Sequence, residues 1–270
     1  MRMTRFRSIA AAALVTISAL SIGAGAGAAS ATERPTVVLV HGAFADATSW
    51  DGVASDLRSR GYRVVVPDIA LRGPAHDADE VDRVVSSIPG PVILVGHSYG
   101  GVVVTNVHAT NVAALVYVAA FIPDQGEPAM LALNPIQYPG SQLLPPVLQV
   151  KTVDDPTAPF GKNVDGYISR ESFHSVFAQD VSDATAETMY AHQKSQALSA
   201  NLEPTGVPLW KTTPSWALVP YDDRVIPRSS ELAMAQRASA HITSVPGSHA
   251  VLVSQPHAVA NLVALADAGS

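Results

Sequence analysis

Val92-Ile93-Leu94-Val95-Gly96-His97-Ser98-Tyr99-Gly100-Gly101 decides how the rest of the chain is read. Its first four residues form a continuous apolar run, the pattern of a parallel strand buried on both faces. The run enters Gly-x-Ser-x-Gly and passes straight into an apolar helical segment, Gly100–Ala109. A strand that turns this sharply into a helix leaves no room for side chains beside the turn, which accounts for glycine at 96 and 100. The turn lifts the Ser98 hydroxyl above the sheet edge. It also aims the positive end of the new helix at any oxyanion formed there.

Outward from this turn, strands and helices alternate. Thr36–Val40 reads as a first strand, ended by His41-Gly42. Trp50–Arg60 has helical spacing at Val53, Ala54 and Leu57, with Gly61 as its cap. Tyr62–Val66 is a second strand, Asp79–Ile88 a helix, Pro91–Val95 the third strand and Ala114–Ala119 the fourth. Residues 121–213 break the pattern. They are rich in Pro, Gln, Ser and Thr and contain no further strong buried strand, although Ala184–Leu198 looks helical. A long irregular excursion in a compact domain implies a task, and a cap over a site is the expected one. The alternation resumes with Trp216–Val219, the helix Ser229–Ala238, the strand Ile242–Val245 and the closing helix Pro256–Ala266. Repeated strand–helix–strand units imply an α/β fold with a parallel sheet and helices on both faces.

A serine at its ordinary pKa is a poor nucleophile and needs a base and an acid that orients that base. With the order Ser, acid, His along the chain, His249 is the expected base, because it follows the strand Ile242–Val245 in a loop at the sheet's carboxyl edge. His257 falls in the closing helix and His241 at a strand start, while His76, His108, His174 and His192 come too early. After the strand Trp216–Val219 both Asp222 and Asp223 are in place as the acid, and Asp124 is an outside candidate. The oxyanion donors are expected to be the backbone N–H groups of Tyr99 and, from the loop His41-Gly42-Ala43-Phe44, of Ala43. His41 is expected to brace that loop rather than to react.

The whole chain supports a folded globular protein. Of its 270 residues 47% are hydrophobic and only 15% charged, which argues against disorder. Residues 1–31 read as a secretory signal peptide: Arg2, Arg5 and Arg7 precede the apolar run Ile9–Ile22 and a small-residue stretch ending at Ala31. Removal of that leader takes the net charge from −6 to −9, because it carries three Arg and no acid. Such a charge disfavours nucleic acid and anionic membrane as partners. The expectation is therefore a secreted or periplasmic domain over residues 32–270, with no stable membrane association once the leader is gone. There is no cysteine, so disulfides, thiolate chemistry and Cys-based metal sites are excluded. No metal signature or cofactor motif is apparent.

These features together resemble the α/β-hydrolase superfamily, from about residue 35 to the end. Within it the chain is similar to bacterial relatives of plant methylesterases and hydroxynitrile lyases. The likeness is carried by Val38-Leu39-Val40-His41-Gly42-Ala43 with Trp50, by the turn at 96–101, by Asp223-Arg224-Val225-Ile226-Pro227 and by Gly247-Ser248-His249. The resemblance implies a mostly parallel sheet of eight strands with a cap after the sixth. It favours Asp223 over Asp222 as the acid, since an Asp four residues before Pro is common at this turn. It implies hydrolysis of carboxylic esters through Ser98, His249 and Asp223; the apolar side chains of the cap point to a small-molecule ester with a small or medium hydrophobic acyl or alcohol group. Lyase members carry Lys after the catalytic His and Thr at the position of Gly42; here the residues are Ala250 and Gly42. Specialised perhydrolases commonly place Met where this chain has Tyr99. A non-catalytic binding protein on the same scaffold would show a broken triad, and none is broken here. Cap residues expected to line a pocket include Phe121, Leu143, Leu144, Phe160, Phe173 and Trp210.

Overall fold

The computed structural model describes Met1 and residues 34–270, apart from Thr157. Apart from Met1, the leader expected over residues 1–31 lies outside these described residues. The strands in chain order are β1 (Thr36–Val40), β2 (Val64–Val65), β3 (Val92–His97), β4 (Val112–Val118), β5 (Leu148–Asp154), β6 (Lys162–Ile168), β7 (Gln196–Ala197), β8 (Ser215–Pro220) and β9 (His241–Val245). The helices are α1 (Asp51–Ser59), α2 (Pro74–Ser86), α3 (Tyr99–Thr105), α4 (Arg170–Phe177), α5 (Asp183–Ala191), α6 (Arg228–Arg237), α7 (Val251–Ser254) and α8 (Pro256–Gly269).

Six strands form one sheet in the order β2-β1-β3-β4-β8-β9, parallel at every pairing. Alternate residues of each strand bury on opposite faces. Val37 and Leu39 pack with Val53 and Leu57 of α1 and with Leu262 and Val263 of α8. Val38 and Val40 pack with Val81 and Val85 of α2, Val102 and Val103 of α3 and Met234 of α6. Both faces being covered, every position must be apolar, which is why these strands read as unbroken Val-rich runs. Each fully buried Val or Leu contributes about 1.5–3 kcal/mol of transfer free energy.

The expected α/β architecture is thus present, but the sheet has six strands among the described residues, not eight. The larger count came from the family resemblance. The alternation in the sequence itself marks six strands, and each is a strand of this sheet. The insertion accordingly follows the fourth strand of this sheet, β4, and not the sixth. Helix α2 begins at Pro74 rather than Asp79 because proline is well suited to a first helical position and Glu203 Oε1 accepts the free Ala75 N–H at 3.0 Å. Strand β2 is shorter than expected, pairing only through Val64 and Val65 at the sheet edge.

The insertion holds a structure that the apolar pattern did not reveal. Strands β5, β6 and β7 make an antiparallel sheet, with Leu148 opposite Ile168 and Gly166 opposite Gln196. Most of β5 is exposed, so it has no buried run to announce it. The helix expected over Ala184–Leu198 stops at Ala191, and Gln196–Ala197 is strand β7.

Candidate active site

Strand β3 ends at His97, and α3 begins at Tyr99, so Ser98 alone makes the turn. Its backbone sits at φ 52° and ψ −122°, a strained region for a non-glycine residue. The steric expectation for the flanking glycines holds. A Cβ on Gly96 would lie 2.5 Å from the Gly100 carbonyl oxygen, and one on Gly100 would lie 2.5 Å from that of Val40. The turn is tied down by Ser98 N–H, which donates to Ala119 O at 3.2 Å, and by Ser98 O, which accepts from Gly101 N–H at 2.9 Å.

The loops after β8 and β9 bring two more side chains to Ser98. The Ser98 hydroxyl lies 2.8 Å from His249 Nε2, and His249 Nδ1 lies 2.6 Å from Asp223 Oδ2. A carboxylate only accepts, so the proton on the ring sits at Nδ1, and Nε2 is left to accept from the serine hydroxyl. The His249 and Asp223 side chains are both fully buried. The other Asp223 oxygen, Oδ1, accepts from the N–H groups of Val225 (2.7 Å) and Ile226 (2.9 Å). Asp222 faces away and works through its backbone: its N–H donates to Gly247 O at 3.1 Å, and its carbonyl accepts from Gln179 Nε2 at 2.6 Å. Asp124 is remote, paired with Lys211 at 2.7 Å. His257 is exposed and paired with Asp56, and His241 stacks on Trp216.

Ala43 and Tyr99 line the same cavity as Ser98, and neither backbone N–H has a partner among the described residues. The Ala43 loop is packed onto the nucleophile itself, since a Cβ on Gly42 would lie 2.7 Å from Ser98 Cβ. His41 braces this loop, as expected. Its Nδ1–H donates to Gly42 O at 2.9 Å, and its Nε2 accepts from Ile69 N–H at 3.2 Å. Burial, aided by the charge of Lys194, pushes its pKa below the ordinary histidine value and keeps the ring neutral.

Three contributors escaped the sequence reading. His97 is fully buried beside His249, and its Nε2–H donates to the His249 carbonyl at 2.9 Å. Burial first, and the nearby His249 second, hold its pKa well below the usual value. Its place in the turn was the only signal. Asp77, also fully buried, accepts from the Tyr99 hydroxyl at 2.8 Å and from the Arg72 N–H at 3.1 Å. Arg72 then reaches into the insertion with a two-pronged contact to Asp165, at 2.9 and 2.7 Å. The third is Glu231 of α6. Both its carboxyl oxygens are buried without a partner among the described residues, and burial, with Asp223 nearby, raises its pKa well above the usual value. Local sequence carries no sign of such long-range pairs. His76, Asp77 and Glu80 bring possible metal-ligand atoms within 4.8 Å of one another, but Asp77 is already taken up by Tyr99 and Arg72.

The cavity at Ser98 has a volume of about 700 Å³ and is lined mainly by apolar side chains. Phe121, Leu143 and Leu144 line it as expected, together with Met130, Leu131 and Leu198, which were not foreseen. Phe160 does not, being fully exposed, and Trp210 instead donates to Pro123 O. Phe173 is buried and stacked on Phe177, whose ring stands edge-on to His249 at 4.9 Å.

A model of the alpha/beta hydrolase family matches residues 37–262. The chain belongs to this family. It is 28% identical to a pyrethroid hydrolase of Sphingobium wenxiniae, over 84% of this chain and 86% of that protein. It is 35% identical to a carbendazim hydrolyzing esterase of a Nocardioides species, over 38% of this chain and 48% of the relative. Methylesterase 7 of Arabidopsis thaliana is 33% identical over 34% of this chain and 42% of the relative. The chain therefore spans about half the length of the latter two relatives. Among solved structures, a pyrethroid hydrolase superposes with a TM-score of 0.71 at 24% identity, covering 87% of this chain and 98% of that one. Polyneuridine aldehyde esterase gives 0.73 at 18% identity, covering 86% and 99%. These superpositions speak for the fold.

Proposed function

We propose that this family member is a serine hydrolase of small carboxylic esters, exported from the cell, with the insertion as a cap over its cavity. The observation that carries this reading is the unbroken hydrogen-bond chain Ser98–His249–Asp223 opening into an apolar cavity of about 700 Å³. A cavity of that size suits a small molecule rather than a polymer segment.

His249 Nε2 takes the Ser98 proton as Oγ attacks the ester carbonyl. The Asp223 carboxylate holds the ring in the required tautomer and stabilises the imidazolium. The Ala43 and Tyr99 N–H groups receive the tetrahedral oxyanion. His249 then gives its proton to the departing alcohol, leaving Ser98 acylated. Water, activated by the same base, releases the acid and restores the serine. The apolar lining favours an ester with a bulky hydrophobic acid or alcohol part. The names of relatives, a pyrethroid hydrolase and a carbendazim hydrolyzing esterase, support a hydrolase acting on small molecules. A lyase-type Lys at position 250 has no counterpart, since Ala250 is buried with its N–H on Phe177 O.

The test is a panel of p-nitrophenyl and aryl esters of graded size, run with the wild-type protein and Ser98→Ala. Turnover that rises with apolar bulk and disappears in Ser98→Ala is the expected result; retained turnover in the variant contradicts the mechanism. Export is tested separately by N-terminal sequencing of protein recovered outside the cytoplasm. A start at or near Thr32 is expected, and one at Met1 contradicts it.

A further inference from the structure

We infer that Asp180 is a positioning residue that sets the direction of the His249 ring, an inference that rests on the ester-hydrolase reading above. Asp180 belongs to the insertion, in the short link between α4 and α5, far in sequence from the reacting groups. Its two oxygens receive three donors, two from Ser248 in the loop after β9 and one from Ser254 at the end of α7. Oδ1 accepts from Ser248 Oγ at 2.5 Å, and Oδ2 accepts from Ser248 N–H at 2.9 Å and from Ser254 Oγ at 2.7 Å. Ser248 is itself fully buried. Its Oγ passes the contact on by accepting from Ala250 N–H at 2.9 Å, and the same N–H also reaches Phe177 O at 3.1 Å.

Both chain neighbours of His249 are thereby held by a single segment, Phe177 to Asp180. The His249 carbonyl is held from the other side by His97 Nε2–H. With its peptide groups fixed before and after, the ring has only its side-chain torsions left to settle. Those torsions must satisfy Asp223 at one nitrogen and Ser98 at the other. A carboxylate suits position 180 because it only accepts, and three donors converge on it. The outer side of Asp180 is open to solvent, so its contacts are not required to fill the core. The insertion therefore does more than cover the cavity: it fixes the loop that carries the base.

The test uses the full chain with Asp180→Ala and Asp180→Asn, beside wild type and Ser98→Ala. Readouts are kcat and KM on a short p-nitrophenyl ester, the rate at which a fluorophosphonate labels Ser98, and the thermal midpoint. Asp180→Ala is expected to lower kcat roughly ten- to hundredfold, since a small misplacement of a reacting group costs that much. KM is expected to stay within about twofold, as the substrate cavity is untouched. Labelling slows in parallel, and the midpoint moves little. Asp180→Asn, which keeps one acceptor oxygen, falls between, and it carries the test should the alanine variant fail to fold. A wild-type kcat in both variants, with labelling at the wild-type rate, overturns the inference while leaving the hydrolase reading intact. So does a lowered midpoint with unchanged kcat, which marks a structural tie only. A wild-type protein that neither turns over esters nor takes the label overturns the underlying function, and this inference with it.

Discussion

The parallel sheet and the insertion between β4 and β8 share an apolar core but differ in the polar contacts that fix their edges. The sheet is apolar on both faces, and its strands are shielded by α1, α7 and α8 on one side and α2, α3 and α6 on the other. The insertion joins the apolar core on the α2, α3 and α6 side through Ile168, Phe173, Phe177 and Ala197, and adds a set of directional polar ties along its border. Arg72 grips Asp165, Glu203 caps the start of α2, Lys194 bonds to Asp68 and Asp180 receives the Ser248 and Ser254 donors. Apolar burial is non-directional and fixes the scaffold; hydrogen bonds and ion pairs are directional and fix register. The candidate site lies on the seam. Ser98 rises from the sheet, while the insertion shapes the cavity and steadies the loop bearing His249.

That contrast can be broken first at Asp223. Asp223→Asn should reduce kcat on a p-nitrophenyl ester by about four orders of magnitude, because the amide favours the wrong ring tautomer. Asp222→Asn should stay within about threefold, since Asp222 acts through its backbone. The reverse ranking would move the acid by one residue.

Arg72→Ala tests the polar side of the comparison. It strips the guanidinium from a nearly buried Asp165, leaving that carboxylate the Ser195 hydroxyl, while the Arg72 backbone N–H to Asp77 is retained. A loss of about 3 kcal/mol in urea unfolding is expected, the lower end for a broken buried pair because Arg72 is partly exposed. A loss under about 0.5 kcal/mol would remove this contact from the forces holding the insertion.

The smallest expected effect concerns Glu231, a buried carboxyl of α6 near Asp223. Its folded-state pKa is raised, so the folded protein binds a proton that the unfolded chain releases near the ordinary glutamate value. Stability from this group is complete below that value and is lost as pH rises towards the raised one. Glu231→Gln should therefore raise the thermal midpoint at neutral pH and flatten its decline from acid to neutral. An unchanged pH dependence in the variant would contradict this.

The same division of forces governed what could be read from the sequence. Thr36–Val40, Pro91–Val95 and Trp216–Val219 announced their strands because burial on two faces leaves no polar position. Gly96 and Gly100 announced the turn because nothing larger fits. His249 followed from chain order and its place after a strand. Strand β5 was silent, since most of it faces solvent. The roles of His97, Arg72 and Asp180 were silent too, because each depends on a partner far along the chain: 152 residues for His97 and His249, 93 for Arg72 and Asp165, and 68 for Asp180 and Ser248. The eight-strand count shows the opposite error, a family expectation carried past the six strands that the alternation itself marks.

The central claim is that Ser98 is an activated nucleophile. Incubation with a fluorophosphonate, followed by peptide mass spectrometry, tests it without any assumption about the natural ester. A single adduct on the peptide carrying Ser98, absent in Ser98→Ala and slowed in Asp223→Asn, is the expected result. An unlabelled Ser98 in folded wild-type protein, or an equal adduct in the Ser98→Ala variant, would contradict it.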